Sequence, residues 1–525
     1  MNTAEILLIA SSAVPDRVVV KDPDDAASYG ELQSRANKLA HALAGLGVGK
    51  GQNVGIMSVN STKFPELYYA AAAVGATFVP LNFRAKTDEL QYMIEASNVN
   101  VLFVSERYFP IYQEIRSKLP GVRNVFTLDF EAAGLRTFEA LREDGVDVPF
   151  FADVDDNDPA MVIYTSGTTA LPKGVVLTHK TLTAYVINTQ NPVDPTIDQD
   201  VTLVAVPFFH VAGATTMLGS IWAGRKLVIL PQFDPSGWLA AVESERVTHA
   251  FVVPTMLKRI MEVDDFDKYD LSSLKLITYG AAPMPFEVVR QAIDQFDAGL
   301  MNAYGQTEST STMTYLGPED HRLDGTPEQN AKKLERLRSV GKPMPDIDVG
   351  ILAPSGRVLG AREEGEICIR GDRIMREYQG RAEETAAAIH DGWLHTGDVG
   401  YLDDDSYLFI TGRLKDLIIR GGENISPGEI EGVIEEHPQV AEVAVIGVPD
   451  VEWGEVVKAV LVGNGVNDQP SDEDMTAYVK SRLASYKAPS VYEWVQGPLP
   501  RNHLGKLLKN DIRDRWGAPQ QAKTT

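Results

Sequence analysis

The stretch YTSGTTALPKG at 164–174 sets the hydroxyls of Thr165, Ser166, Thr168 and Thr169 around Gly167 and closes with Lys173. Glycine lets a backbone approach a ligand closely, and hydroxyls beside open N–H groups are donors suited to phosphate oxygens. Lys173 adds the matching positive charge. A Walker-type loop needs glycine before its lysine and Ser or Thr after it. Here Pro172 precedes Lys173 and Gly174 follows it, which disfavours a nucleotide hydrolase of that type. On composition the stretch also fits a solvated loop. Its context argues otherwise: PAMVIYT at 159–165 is an apolar, strand-like run, so the loop leaves a strand end in an α/β sheet, where ligands bind.

The elements that must position this loop alternate along the chain. NVGIMSV from 53 reads as a strand, STKFPELYYAAAAVGA as a Ser-capped helix, TFVPL as a strand, TDELQYMIEAS as a helix and VNVLFVS as a strand. Further strands are expected at 201–207, 227–231, 249–253 and 274–279. Such alternation predicts an α/β fold, with parallel-rich sheets and crossover helices in a large N-terminal domain. After SYLFITGRLKD the pattern changes to SPGEIEGVIEEHP as a capped helix, strands in AEVAVIGV and VVKAVLV, and a helix in SDEDMTAYVKSRLA. That suits a small α+β domain of about a hundred residues. The expected division is 1–412, a hinge at 413–416, and 417–525.

With 525 residues, the chain can bury several cores. Its 49 basic and 73 acidic residues leave a net charge of −24, which argues against nucleic acid as the main partner. Cys368, the single cysteine, sits in strand-like GEICIRG as a buried filler, and its solitary occurrence suits a reducing cytoplasm. The amino terminus has no basic region ahead of its apolar run and does not read as a secretory signal. VAVPFFHVAGATTMLGSIWAG at 204–224 carries no Lys, Arg, Asp or Glu. Pro207 and His210, and the neighbouring strand-like segments, favour a buried strand and helix over a membrane span.

Three later stretches accompany the loop: YGQTE at 304–308, the pair GWLHTGD and GRLKDLIIRGGENISPGEIE within 392–431, and LPRNHLGKLLK at 499–509. In order and spacing they resemble the adenylate-forming superfamily of acyl-CoA synthetases, peptide-synthetase adenylation domains and firefly-type luciferases. The resemblance covers essentially the whole chain. It implies two steps: a carboxylate and MgATP give acyl-adenylate and pyrophosphate, then a thiol displaces AMP. It further implies that Thr165, Ser166, Gly167, Thr168, Thr169 and Lys173 cradle the β and γ phosphates, with Ala170 departing from the more usual glycine. Glu308 is implied as the Mg²⁺-associated carboxylate beside Thr307, Asp398 as acceptor of the ribose hydroxyls and Arg413 as the second ribose contact. Gly280, Ala281, Ala282 and Tyr304 correspond to the walls of the adenine slot. Lys506 corresponds to the lysine that reaches the carboxylate and the α-phosphate. Lys415 falls at the hinge, about which the small domain turns to bring Gly421, Gly422, Glu423 and Asn424 to the thiol's path.

The same resemblance puts the acyl site among FFHVAG (208–213), Phe251, Ala303 and the residues after Glu308, with His210 abutting the carboxylate. Ala212, Gly213 and Ala303 are small, which favours a medium-chain fatty, alicyclic or aryl acid over acetate. No charged residue in these segments would meet an amino acid's own charges, which weighs against a peptide synthetase. The implied partners are a small carboxylic acid, ATP and coenzyme A, and a homo-oligomer is left open. An acyl-AMP ligase serving a carrier protein and a luciferase-like oxygenase share these motifs.

Overall fold

A computed structural model of the chain describes residues 1–165, 171–421, 423–465, 469–501 and 507–517, together with the backbone, though not the side chain, of Asn424. Two sheets dominate its large N-terminal part. In one, parallel strands at 299–306, 276–280, 249–252, 201–204, 226–229 and 18–21 lie side by side, with antiparallel strands at both ends. In the other, strands at 159–165, 77–80, 53–57, 99–104, 124–127 and 136–137 run parallel, and Lys173–Thr178 adds an antiparallel neighbour to Pro159–Thr165. These strands read as continuous Val, Ile and Leu runs because helices cover both faces of a parallel sheet. A third, antiparallel sheet holds 347–352, 365–371, 393–402, 389–390 and 408–413.

The apolar run from 204 divides as its proline and histidine suggest. The strand Val201–Val204 ends before Pro207, and the helix Val211–Trp222 buries Ala214, Met217, Leu218 and Ile221 in the main core. No helix among the described residues is long and apolar enough to cross a membrane. Cys368 is buried, as expected, and so are Ile367 and Ile369 on either side of it, because both faces of the strand are covered there.

Two expected caps are absent. The helix Lys63–Ala73 follows Thr62, not Ser61, and the Thr62 hydroxyl donates to Asp25 Oδ2 at 3.1 Å instead of closing the helix end. Ser426 precedes the helix Pro427–Glu435, but its hydroxyl donates to the Thr411 carbonyl. Each serves a contact distant in sequence, which no local pattern encodes. The helix Asp472–Lys480 does begin with a cap, Ser471 accepting from the Asp474 N–H.

The antiparallel sheet ends at Arg413, a short 3₁₀ turn spans Leu414–Asp416, and a new sheet begins with Ile418–Arg420. This smaller C-terminal sheet pairs 423–425, 418–420, 454–463 and 440–450, with 491–495 parallel to 454–463. Its own core gathers Ile418, Ile425, Ile430, Val443, Val457 and Met475.

Candidate active site

Strand Gly299–Gln306 carries YGQTE across the carboxyl edge of the first sheet and into the 3₁₀ turn Thr307–Ser309. Asp398 lies on the strand Trp393–Leu402, paired in register with Arg413. Its carboxylate is 4% exposed and fully engaged. Arg413 Nε stands 2.7 Å from Oδ1, while Tyr304 donates its hydroxyl to Oδ2 at 2.7 Å and Gln306 Nε2 donates to the same oxygen at 3.0 Å. Burial, reinforced by Asp398, holds the Tyr304 phenol well above its ordinary range, so it stays a donor. Gln306 also bonds the Thr396 carbonyl at 3.1 Å, locking the two strands together. The result is a rigid anionic acceptor ringed by donors, suited to a vicinal diol.

Two residues beyond Gln306 on the same stretch, Glu308 faces a different cluster. Tyr378 donates its hydroxyl to Glu308 Oε1 at 2.8 Å, and burial followed by the Glu308 charge raises that phenol's pKa. Lys173 lies over the Tyr378 ring, 4.8 Å from its centroid, and is paired with Glu384. Glu384 also holds Arg381 at 2.6 Å, and these two cations keep its carboxyl below the usual range. Thr165 is the register partner of Lys173. Among the described residues no donor reaches the second oxygen of Glu308, leaving a hard anionic ligand of the kind magnesium prefers.

Gly280 ends the strand Leu276–Gly280 opposite Ala303, and a Cβ there would lie 2.1 Å from the Ala303 carbonyl oxygen. Only glycine fits that approach. Ala281 follows with φ +67°, a left-handed backbone unusual for alanine, and with Ala282 it sits beyond the carboxyl end of a parallel strand. His210 occupies the residue before the helix Val211–Trp222, its ring 4.3 Å from that of Phe209. Gly213 changes the expectation of a roomy wall there: a Cβ on it would lie 2.3 Å from the Pro207 carbonyl oxygen, so its small size serves close packing.

At the domain junction, burial and the nearby Arg413 push the Lys415 ammonium pKa down, and Asp416 is held by Arg513 at 3.0 Å. Gly421 has φ +59° and donates its N–H to the Trp453 carbonyl at 2.8 Å. A Cβ on Gly421 would meet the Trp453 ring at 2.8 Å. Ser166, Gly167, Thr168, Thr169, Ala170, Gly422 and Lys506 lie outside the described residues.

The structure thus brings Tyr304, Asp398 and Arg413 into one cluster and Glu308 and Lys173 into another. Gln306 and Tyr378, which complete these clusters, have no assigned role in the motif reading. Gln306 stood inside YGQTE and was open to notice; Tyr378 lies 70 residues from Glu308 and carries no local mark.

Residues 9–379 match the model of the AMP-binding enzyme family, and residues 429–506 match that of the AMP-binding enzyme C-terminal domain. The chain belongs to the AMP-binding enzyme family. Among relatives of this AMP-binding enzyme, a feruloyl-CoA synthase of Amycolatopsis sp is 36% identical over 504 residues, covering 96% of each chain. A fatty acid–[acyl-carrier-protein] ligase of Streptomyces coeruleorubidus is 33% identical, over 93% of this chain and 92% of that one. The solved structure of a Mycobacterium tuberculosis fatty acyl CoA synthetase superposes with a TM-score of 0.79 at 31% identity, covering 99% of both chains.

Proposed function

We propose that this AMP-binding enzyme is an acid–thiol ligase that makes acyl-CoA from a medium-chain fatty, alicyclic or aryl acid. One observation carries the reading. Within five residues, Tyr304 and Gln306 engage the diol acceptor Asp398 while Glu308 joins Lys173 through Tyr378, so a single stretch reaches both ends of a nucleoside triphosphate.

In the first step a carboxylate oxygen attacks the α-phosphorus of ATP and pyrophosphate leaves. Asp398 and Arg413 fix the ribose, Gly280, Ala281, Ala282 and Tyr304 bracket the base, and Thr165, Lys173 and the loop between them hold the β and γ phosphates. Lys173 must exchange Glu384 for phosphate, trading one anionic partner for another. Mg²⁺, when bound at Glu308 beside Thr307, neutralises phosphate charge. Lys506 spans the carboxylate and α-phosphate as charge accumulates between them, and His210 borders the carboxylate. In the second step the coenzyme A thiol, its proton passing to solvent, attacks the acyl carbon and AMP departs. The hinge at 413–416, with Lys415, carries the small domain so that Gly421 and Gly422 face the thiol.

Pyrophosphate release measured over acetate, octanoate, palmitate, benzoate and cinnamate-type acids, with and without coenzyme A, tests this reading. It expects ATP consumption coupled to coenzyme A, with octanoate or an aryl acid well ahead of acetate. Acids activated without any thioester to coenzyme A, but transferred to a phosphopantetheinyl carrier protein, would favour the carrier-loading reading that the Streptomyces coeruleorubidus relative brings to mind.

Ala303 offers a narrower test of the acyl wall. It is buried next to Tyr304, and with Gly213 accounted for by packing it bears most of the argument for space. Ala303→Phe is expected to lower kcat/KM for the bulkiest accepted acid at least about tenfold relative to the smallest, as loss of about 1–3 kcal/mol of fit implies. The KM for ATP should hold. An unchanged ranking of acids would remove Ala303 from the acyl site.

A further inference from the structure

Near Asp398, on its own strand and on the neighbouring one, is a group of donors that the adenylation chemistry does not use. Glu366 and Cys368 lie on the strand Gly365–Gly371, and His395 lies opposite Cys368 in register on the strand Trp393–Leu402. His395 Nδ1 is 2.7 Å from Glu366 Oε2 and 3.3 Å from Cys368 Sγ. The ligand atoms of all three lie within 4.8 Å of one another. The Cys368 side chain is fully buried, and the ring of His390 stacks on that of His395 at 3.8 Å.

Hydrogen bonding among the three leaves loose ends. A single N–H on Nδ1 is spent on the carboxylate, the closer and stronger acceptor, which leaves the thiol without a comparable partner. His395 Nε2 is buried and has no partner among the described residues. We propose that Glu366, Cys368 and His395 bind one soft divalent cation of the zinc type, and that its binding weakens ATP binding through Asp398.

The donor set selects the ion. Sulfur and imidazole nitrogen discriminate against magnesium, so this site is chemically separate from Glu308. With zinc bonds of about 2.0–2.3 Å, tetrahedral ligand atoms stand about 3.3–3.6 Å apart. The thiol–imidazole separation already falls there, and the carboxylate must withdraw by less than about 1 Å. Charge also balances: one thiolate and one carboxylate neutralise a divalent ion, which removes the cost of burying it. Ligation as the thiolate releases the thiol proton to solvent.

The link to Asp398 is short. Glu366 Oε1 accepts the Gly397 N–H at 3.1 Å, and Gly397 has φ +71°. Thr396 donates its hydroxyl to the Ile367 carbonyl at 2.6 Å, and Thr396 Oγ1 accepts the Asp398 N–H at 3.1 Å. Drawing Glu366 toward an ion pulls on the turn that aims Asp398. The cation site stands on its own donors; only its effect on ATP rests on the function proposed above.

The test titrates the chelator-stripped full-length protein with Co²⁺. A thiolate-to-cobalt charge-transfer band is expected to saturate at one ion per chain, to vanish in Cys368→Ser, and to persist in Glu308→Gln. Zn²⁺ should displace the cobalt and raise the Tm of the parental protein but not of Cys368→Ser. In excess Mg²⁺, saturating Zn²⁺ is expected to raise the KM for ATP about tenfold in the parental enzyme and to leave Cys368→Ser unaffected, a size typical of disturbing a residue's supporting contacts. No band in the parental protein overturns the site, as does a band that survives unchanged in both Glu366→Gln and His395→Gln with parental circular dichroism. A band with an unchanged KM for ATP overturns the coupling to Asp398. An enzyme that binds cobalt as expected yet consumes no ATP refutes the proposed function and leaves the cation site in place.

Discussion

Lys506→Ala is expected to lower acyl-adenylate formation from free acid and ATP by about 10³-fold, the scale of removing a cation or donor aimed at developing charge. Thioester formation from supplied acyl-adenylate should stay within a few fold of the parental rate. In the mechanism proposed above, the two half-reactions use different faces of the small domain. The described residues on either side of the Lys506 segment, Arg501 and Leu507, are bridged to each other. The connection to the large domain is one short turn at Leu414–Asp416. Ion pairs near this junction, Arg513 with Asp416 at 3.0 Å and Arg338 with Glu436 at 2.6 Å, are partly solvated. Pairs of that kind contribute about 0–1 kcal/mol each, little enough to exchange during a rotation. Pyrophosphate exchange and single-turnover thioester formation, measured separately, check the split. Equal loss in both would mean that Lys506 acts by holding the fold or the domain orientation, and the two-faced assignment would fail.

What could be read along the chain was whatever depends on near neighbours. Strands such as Val201–Val204 and Val99–Val104 show as apolar runs because both faces of their sheets are covered, and the break at Pro207 follows from its missing N–H. The motif residues Asp398, Arg413 and Tyr304 could be placed together only because several motifs resemble one family in order. Their contact spans 94 residues from Tyr304 to Asp398, and no periodicity records it. The partners that complete each cluster were hidden for the same reason. Tyr378 stands in the polar stretch REYQG, and nothing there announces a bond to Glu308. Gly213 misled in the opposite direction. A small residue beside a supposed pocket reads as space, but the Pro207 carbonyl already occupies the position its side chain would need. Ser426 reads as a cap and instead ties its helix to Thr411, joining the two domains where the chain crosses between them.

Asp398→Ala should cost the most among changes in the nucleotide site that leave the phosphate loop intact. The carboxylate is buried and accepts from Tyr304 and Gln306 while paired with Arg413, so its removal strands three donors as well as the substrate's hydroxyls. Losing a hydrogen bond to a charged group costs about 1.5–3 kcal/mol, and two ribose hydroxyls would lose theirs together. The kcat/KM for ATP is therefore expected to fall about 10²–10⁴-fold, mainly through KM if the ribose contacts are made equally in the ground and transition states. Loss of folding would produce a similar number, so the nucleotide supplies the control. The parental enzyme should discriminate strongly against 2′,3′-dideoxy-ATP, because a site built to bond hydroxyls leaves its own polar groups unpaired when they are absent. In Asp398→Ala that discrimination should shrink to a few fold, since the acceptor that read the hydroxyls is gone. A variant that is equally slow with ATP but keeps the parental preference over the dideoxy analogue would show that Asp398 supports Arg413 and Tyr304 without touching the ribose, and the diol assignment would have to move elsewhere.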